Sequence, residues 1–141
     1  MRPRLKRLHK KHAEKVRFGT VGAANTALDF ILLFLLTSLG LNSVLSNYIS
    51  TSIAFLSSFF FNKTYAFKSV GGNVRKQLGM FMAVTIAGIW IIQPIIIVFV
   101  ESMFAGGDQS DEFVLLVAKG IATIASSIWN YLWYSRVVFK R

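Results

Sequence analysis

Two charged residues stand inside otherwise apolar stretches of this 141-residue chain, Asp29 and Lys119, and any chemistry has to begin with them. Asp29 lies about 11 residues, or ~17 Å of helix, beyond Phe18, near the middle of a hydrocarbon core about 30 Å thick. A carboxylate at that depth costs about 2.5–3.5 kcal/mol on insertion scales. The Leu, Ile and Phe run from Phe30 to Leu36 can offset that cost, but it gives the charge no purpose. Asn25 precedes Asp29 by one helical turn and shares its face, while Gly22 and Thr26 keep the neighbouring surface shallow enough for another helix to approach. Lys119 sits about six residues, ~9 Å, from the outer end of its own stretch, within a helical turn of the height of Asp29. An Asp29–Lys119 pair is therefore expected, either as a buried salt bridge joining two helices or as a headgroup or proton site.

Polar residues recur at helical spacing on two segments, Lys119, Thr123, Ser126 and Asn130 on one and Asn47, Thr51, Ser58 and Asn62, with Ala54 between, on the other. Any single Ser or Thr reads most simply as an interhelical hydrogen bond. Together with Asp29 and Asn25, the stripes suggest a hydrophilic groove. Arg17, Lys63, Lys68 and Arg136 fall at segment ends, where they can hold a phosphate headgroup. Basic residues are common there in membrane proteins, so only Lys63 and Arg136, which flank the stripes, stand out by position. Gln93-Pro94 removes a backbone hydrogen bond and predicts a kink with a freed carbonyl beside the Gln93 side chain.

Other chemistries lack residues. The chain has no cysteine, and His9 and His12 in the basic N-terminal segment supply too few ligands for a metal. No paired-carboxylate or Ser-His-Asp arrangement appears, and Asp108, Asp111 and Glu112 share one short loop, so neither catalysis nor a bound cofactor is expected. A net charge of +10 raises nucleic-acid binding, but half of the sixteen Lys and Arg lie in the first seventeen residues, ahead of a chain that is 54% hydrophobic and 16% charged. That distribution signals membrane topology, and no nucleic-acid partner is expected.

The elements that must position these groups are apolar stretches at 18–39, 44–61, 78–100 and 113–134, each close to the roughly 20 residues that cross a bilayer. The first is too long for the apolar part of a signal peptide, and no small-residue cleavage site follows it. Gly40-Leu41-Asn42-Ser43 can only return the chain as an antiparallel hairpin. The loop 62–77 carries Lys63, Lys68, Arg75 and Lys76, whereas 101–112 carries four acids and no Lys or Arg. Both termini are therefore expected in the cytoplasm, and no loop contradicts that orientation. The expected fold is an all-α membrane protein of four transmembrane helices in two antiparallel hairpins, with residues 1–17 a basic cytoplasmic tail and 18–141 the transmembrane domain. Tyr48, Trp90, Trp129, Tyr131, Trp133 and Tyr134 read as interfacial anchors. Aligning Phe67-Lys68 with Phe139-Lys140 sets Ser58 opposite Asn130 and Lys63 one place from Arg136, which suggests that the second hairpin repeats the first.

From Arg17 to Phe139 the sequence resembles the GtrA-like family of small bacterial membrane proteins. The likeness rests on Arg17-Phe18-x-x-Val21-Gly22, then Asn25-Thr26-x-x-Asp29, then Phe60-Phe61-Asn62-Lys63-Thr64-Tyr65-Ala66-Phe67. Lys119, Asn130-Tyr131-Leu132 and Arg136-Val137-Val138-Phe139 complete it. The resemblance implies translocation of a polyprenyl-phosphate-linked sugar across the bacterial cytoplasmic membrane for cell-surface polysaccharide synthesis or glycosylation. The headgroup-binding candidates are Arg17, Asn25, Asp29, Asn62, Lys63, Lys119, Asn130 and Arg136. A competing reading is a non-catalytic subunit that anchors or assists a membrane glycosyltransferase, with Gly19, Ala23 and Ala27 or Gly79, Ala83 and Ala87 as contact faces. A proton-coupled exporter of cations fits less well, because the Lys119 ammonium would repel them. Four helices can hardly enclose a path for a sugar headgroup, so a homo-oligomer, a dimer, is expected.

Overall fold

The computed structural model describes residues 3–140, with side chains placed everywhere except at 3–7, 43, 44, 111 and 112. Helix α1 runs Pro3–Ser38, 36 residues, or about 54 Å. Proline is tolerated in the first helical turn, and the Lys, Arg, Leu, Glu and Ala that follow it are strong helix formers. The basic segment 1–17, expected as a cytoplasmic tail, is helical from Pro3 and continuous with the rest of α1.

The first connector closes as the sequence requires. Gly40 adopts φ +95°, its N–H donates to Thr37 O at 3.1 Å and the Leu41 N–H to Leu36 O at 3.2 Å, a Schellman ending that few side chains tolerate. Asn42 then caps helix α2, Ser43–Phe61, accepting from the Leu45 N–H at 2.8 Å.

After Asn73, whose side chain accepts from the Lys76 N–H at 3.2 Å, helix α3 spans Val74–Ala87. The π turn Gly88–Ile92 joins it to helix α4, Gln93–Phe104. The kink expected at Pro94 takes this form. Pro94 has no N–H, its ring crowds the turn before it, and the Gln93 N–H reaches one residue further back, to Gly88 O. Ser110 caps helix α5, Asp111–Trp133, through the Phe113 N–H.

Three helical stretches, Leu8–Ser38, Val74–Phe104 and Phe113–Val138, are long and apolar enough to cross a membrane. Helix α2 is one more helix, on the segment expected as the second span.

Two compact units make up the chain, one ending at Gly71 and one running Gly72–Lys140. In the first, α1 packs on α2 with Val21, Ala54, Phe59, Ala66 and Phe67 buried, and the Phe18 and Phe67 rings are 5.9 Å apart. In the second, α3 and α4 pack on α5. Phe81 stacks on Tyr134 at 4.5 Å, with Phe139 against both rings, while Ala118 and Ala122 are fully buried.

Each unit ends in the same device. The π turns Asn62–Ala66 and Tyr134–Val138 are closed by the Phe67 N–H on Asn62 O at 2.9 Å and the Phe139 N–H on Tyr134 O at 2.8 Å. The alignment of Phe67-Lys68 with Phe139-Lys140 superposes these two turns residue for residue.

Large apolar side chains such as Phe30, Phe34, Trp90, Leu116 and Ile124 are exposed, as a lipid-solvated surface requires. Gly40→Val should lower stability by about 1–2 kcal/mol, read as a reduced thermal midpoint in detergent. An unchanged midpoint would mean that the φ +95° turn is not needed.

Candidate functional site

Two hydrogen bonds bracket the seam of the first unit. At its basic end Arg17 Nε donates to Ala66 O at 3.1 Å, tying α1 to the π turn after α2. Further along, the Thr51 hydroxyl donates to the Asp29 carboxylate, at 3.3 Å to Oδ1 and 3.5 Å to Oδ2. Twelve residues of α1, about 18 Å, separate the two contacts.

Asn25 lies between them on the Asp29 face, half-buried, and its Oδ1 is enclosed without a hydrogen-bond donor among the described residues. Asn62 is buried in the π turn. Its Nδ2 donates to Ser58 O at 2.9 Å and Ser58 Oγ at 3.2 Å, while its Oδ1 likewise lacks a donor. Buried polar atoms normally find partners, so two amide oxygens of this kind along one seam ask for a donor from outside it.

The carboxylate is equally under-supported. One hydroxyl at 3.3 Å is a weak partner for a carboxylate.

The basic candidates divide. Among the described residues Arg17 donates through Nε, to Ala66 O, and its terminal guanidinium nitrogens are further donors. Lys63 is turned inward, 9% exposed, and its ammonium donates to Gly71 O at 2.9 Å, which pins the loop after the π turn. Lys68 is exposed, at φ +49°. Arg136 is exposed within the last π turn.

The polar stripe of α5 divides, Ser126 and Asn130 turned to its own hairpin and Lys119 and Thr123 exposed. Gln93 Nε2 donates to Ser126 Oγ at 2.9 Å, so its amide bonds a neighbouring helix and not the carbonyl expected to be freed by Pro94. The Ser126 hydroxyl donates to Thr123 O, and the Thr123 hydroxyl to Lys119 O at 2.7 Å. Trp129 Nε1 donates to Val84 O at 3.2 Å, and the Thr85 and Tyr134 hydroxyls are hydrogen-bonded. Trp129 and Tyr134, expected in the aromatic belt, therefore make contacts between helices.

Asn130 Oδ1 is enclosed beside Gly88, 3.1 Å from where a Cβ would stand, with no donor among the described residues. Lys119 is exposed, and within its own hairpin the ammonium meets no acceptor among the described residues.

Sequence reasoning missed the Thr85–Tyr134 and Gln93–Ser126 bonds and the fully buried Ser46 and Ser50. The helical spacing of Ser46 and Ser50 carried a signal, whereas the two bonds depend on which turn of α3 or α4 meets α5. Among the described residues no three His, Asp or Glu gather as a metal site. The arrangement offers amide and carboxylate acceptors along one hairpin and guanidinium donors at its end. That combination suits a ligand with hydroxyl donors beside an anion.

Gly88→Val should cost about 1–3 kcal/mol by driving a side chain into Asn130 and Trp129. Gly79→Val, where nothing lies within 4 Å, should change stability by less than about 0.5 kcal/mol. Equal losses in thermal denaturation would refute the packing of the π turn Gly88–Ile92 on α5.

Residues 17–139 match the family described as GtrA/DPMS, transmembrane domain. The chain is also 28% identical over 116 residues to a Bacillus subtilis (strain 168) protein named uncharacterized membrane protein YngA, an alignment covering 82% of this chain and 72% of that one.

Proposed function

Because the chain belongs to the GtrA/DPMS transmembrane domain family, a membrane family associated with lipid-linked sugar processes, we propose that it carries a polyprenyl-phosphate-linked sugar across the bacterial cytoplasmic membrane. In this reading it breaks no covalent bond. In it, helix α2 completes a set of four spans with both termini in the cytoplasm, the side to which the basic loop 62–77 and Arg136 belong.

The observation that carries the proposal is the pair of enclosed amide oxygens on Asn25 and Asn62, aligned with Asp29 along the first hairpin. Sugar hydroxyls are donors, and would fill acceptors that protein leaves open. The phosphate needs cations, and Arg17 stands at the end of the same seam with donors to spare. The polyprenyl tail needs nothing from the protein beyond an apolar flank, because it can stay in lipid while the headgroup moves.

A second reading has a specific observation in its favour. Gly19, Gly22 and Gly79 have nothing within 4 Å of a built Cβ, so two helix faces stand open for close packing. They would suit a membrane glycosyltransferase that this chain anchors or assists.

The deciding measurement is the rate at which purified protein in liposomes exposes a labelled polyprenyl-phosphate sugar to an outside probe. Wild type should accelerate exposure over empty liposomes. Asp29→Asn and Asn25→Leu should each slow it by about tenfold or more, the loss of one or two charge-assisted or buried hydrogen bonds. Exposure no faster than in empty liposomes, from protein that co-purifies stoichiometrically with a glycosyltransferase, would replace transport with the anchoring role.

A further inference from the structure

Asp29 and Lys119 pose the same problem from opposite signs. Asp29 is only partly covered by its own hairpin and is held by one long hydroxyl contact, while Lys119 is exposed. A charge at mid-bilayer does not face lipid when any alternative exists, since each open one costs about 2.5–3.5 kcal/mol.

Their depths agree. Asp29 stands about nine residues, ~14 Å, before the end of α1 at Ser38, and Lys119 about eight residues, ~12 Å, after the start of α5 at Asp111. Both of those ends lie on the non-cytoplasmic side in the crossing pattern proposed above. Thr26 and Thr123, one turn further in on the two helices, share a level as well, each about 18 Å from that side. Both faces are also low. Gly22 and Gly120 have nothing within 4 Å of a built Cβ, and the hydroxyls of Thr26 and Thr123 fold back onto Gly22 O and Lys119 O of their own helices.

A two-fold axis along the membrane normal moves a residue sideways without changing its depth, so a residue of one copy can meet a different residue of the other across such an axis only when their depths match. These two match, and their charges are opposite. We propose that a second copy of this chain covers the α1 face, with Asp29 of each copy paired to Lys119 of the other, twice per dimer. The interface buries four charges in two pairs and needs no component beyond the chain itself. It rests on the proposed crossing pattern and not on the identity of the cargo.

The absence of native cysteine makes the test direct. Asp29→Cys in one tagged chain and Lys119→Cys in a differently tagged chain, co-expressed in membranes and oxidised, should yield a species of twice the 15.8 kDa protomer carrying both tags. Ile31→Cys with Ile124→Cys, both exposed positions, should not.

Charge reversal adds an independent arm. Asp29→Lys alone and Lys119→Asp alone place like charges together in their homodimers and should lose self-association. Co-expressing the two should restore it, because each mixed dimer then regains both opposite-sign pairs. Three results would overturn the interface. One is a cross-link formed only within a single doubly substituted chain; another is rescue by the double variant but not by co-expression; the third is mixed-tag cross-linking no stronger than the Ile31–Ile124 control. Lipid exposure that persists without the cross-link would remove this interface and leave the transport reading standing. A cross-linked dimer inert in liposomes would do the reverse.

Discussion

A charge in hydrocarbon has no water to hold it, and the placement of Asp29 on a helix that can cross the membrane makes that constraint the one on which the site depends. The first hairpin meets it only in part. Thr51 reaches the carboxylate, Arg17 locks the basic end of the seam, and between them two amide oxygens stay open. A hairpin built for stability alone would have closed these groups on one another, because a half-satisfied buried network is worse than an apolar seam. The second hairpin comes closer to that closure, pairing Gln93 with Ser126, Trp129 with a backbone carbonyl, and Thr85 with Tyr134.

The contrast is informative because the two units share a construction. Each ends in a π turn closed by a phenylalanine N–H, and the turns fall at equivalent places in the sequence. At the first position of the turn, one unit holds Asn62 with an open oxygen and the other Tyr134 with a bonded hydroxyl. Tyr134 fills its space with a ring stacked on Phe81, a contact that Asn62 has no means to make. The second unit keeps one open amide oxygen of its own, on Asn130, so the contrast at the π turns is local to their first position.

Much of this was legible in the residues. Apolar lengths located the helices, Gly40-Leu41-Asn42 announced the first reversal, and the i, i+4 spacing of Asn25 and Asp29 put them on one face. The Phe-Lys echo located the paired π turns without revealing their form, because an i to i+5 bond leaves no composition signature. Pro94 foretold a break but not its remedy, since a kink and a widened turn both relieve the missing N–H. Lys63 was read as a phosphate ligand from its place at a helix end. Its inward turn onto Gly71 O depends on the loop after the π turn, whose conformation spacing does not encode. Trp129 and Tyr134 looked like interface anchors for the same reason, as their partners come from distant turns of α3.

Helix α1 runs without a break from Pro3 to Ser38, so its basic beginning and its apolar end form one continuous helical rod. Rotation of either part is rotation of both. Lys11 precedes Asp29 by about five full helical turns, which gives the two residues the same azimuth around the rod axis. Whatever holds the exposed cationic side of the rod also sets the compass bearing of the carboxylate some 27 Å (~1.5 Å per residue) further along. A turn applied about the axis at Lys11 is thereby carried along α1 to Asp29, with no break in the helix between them.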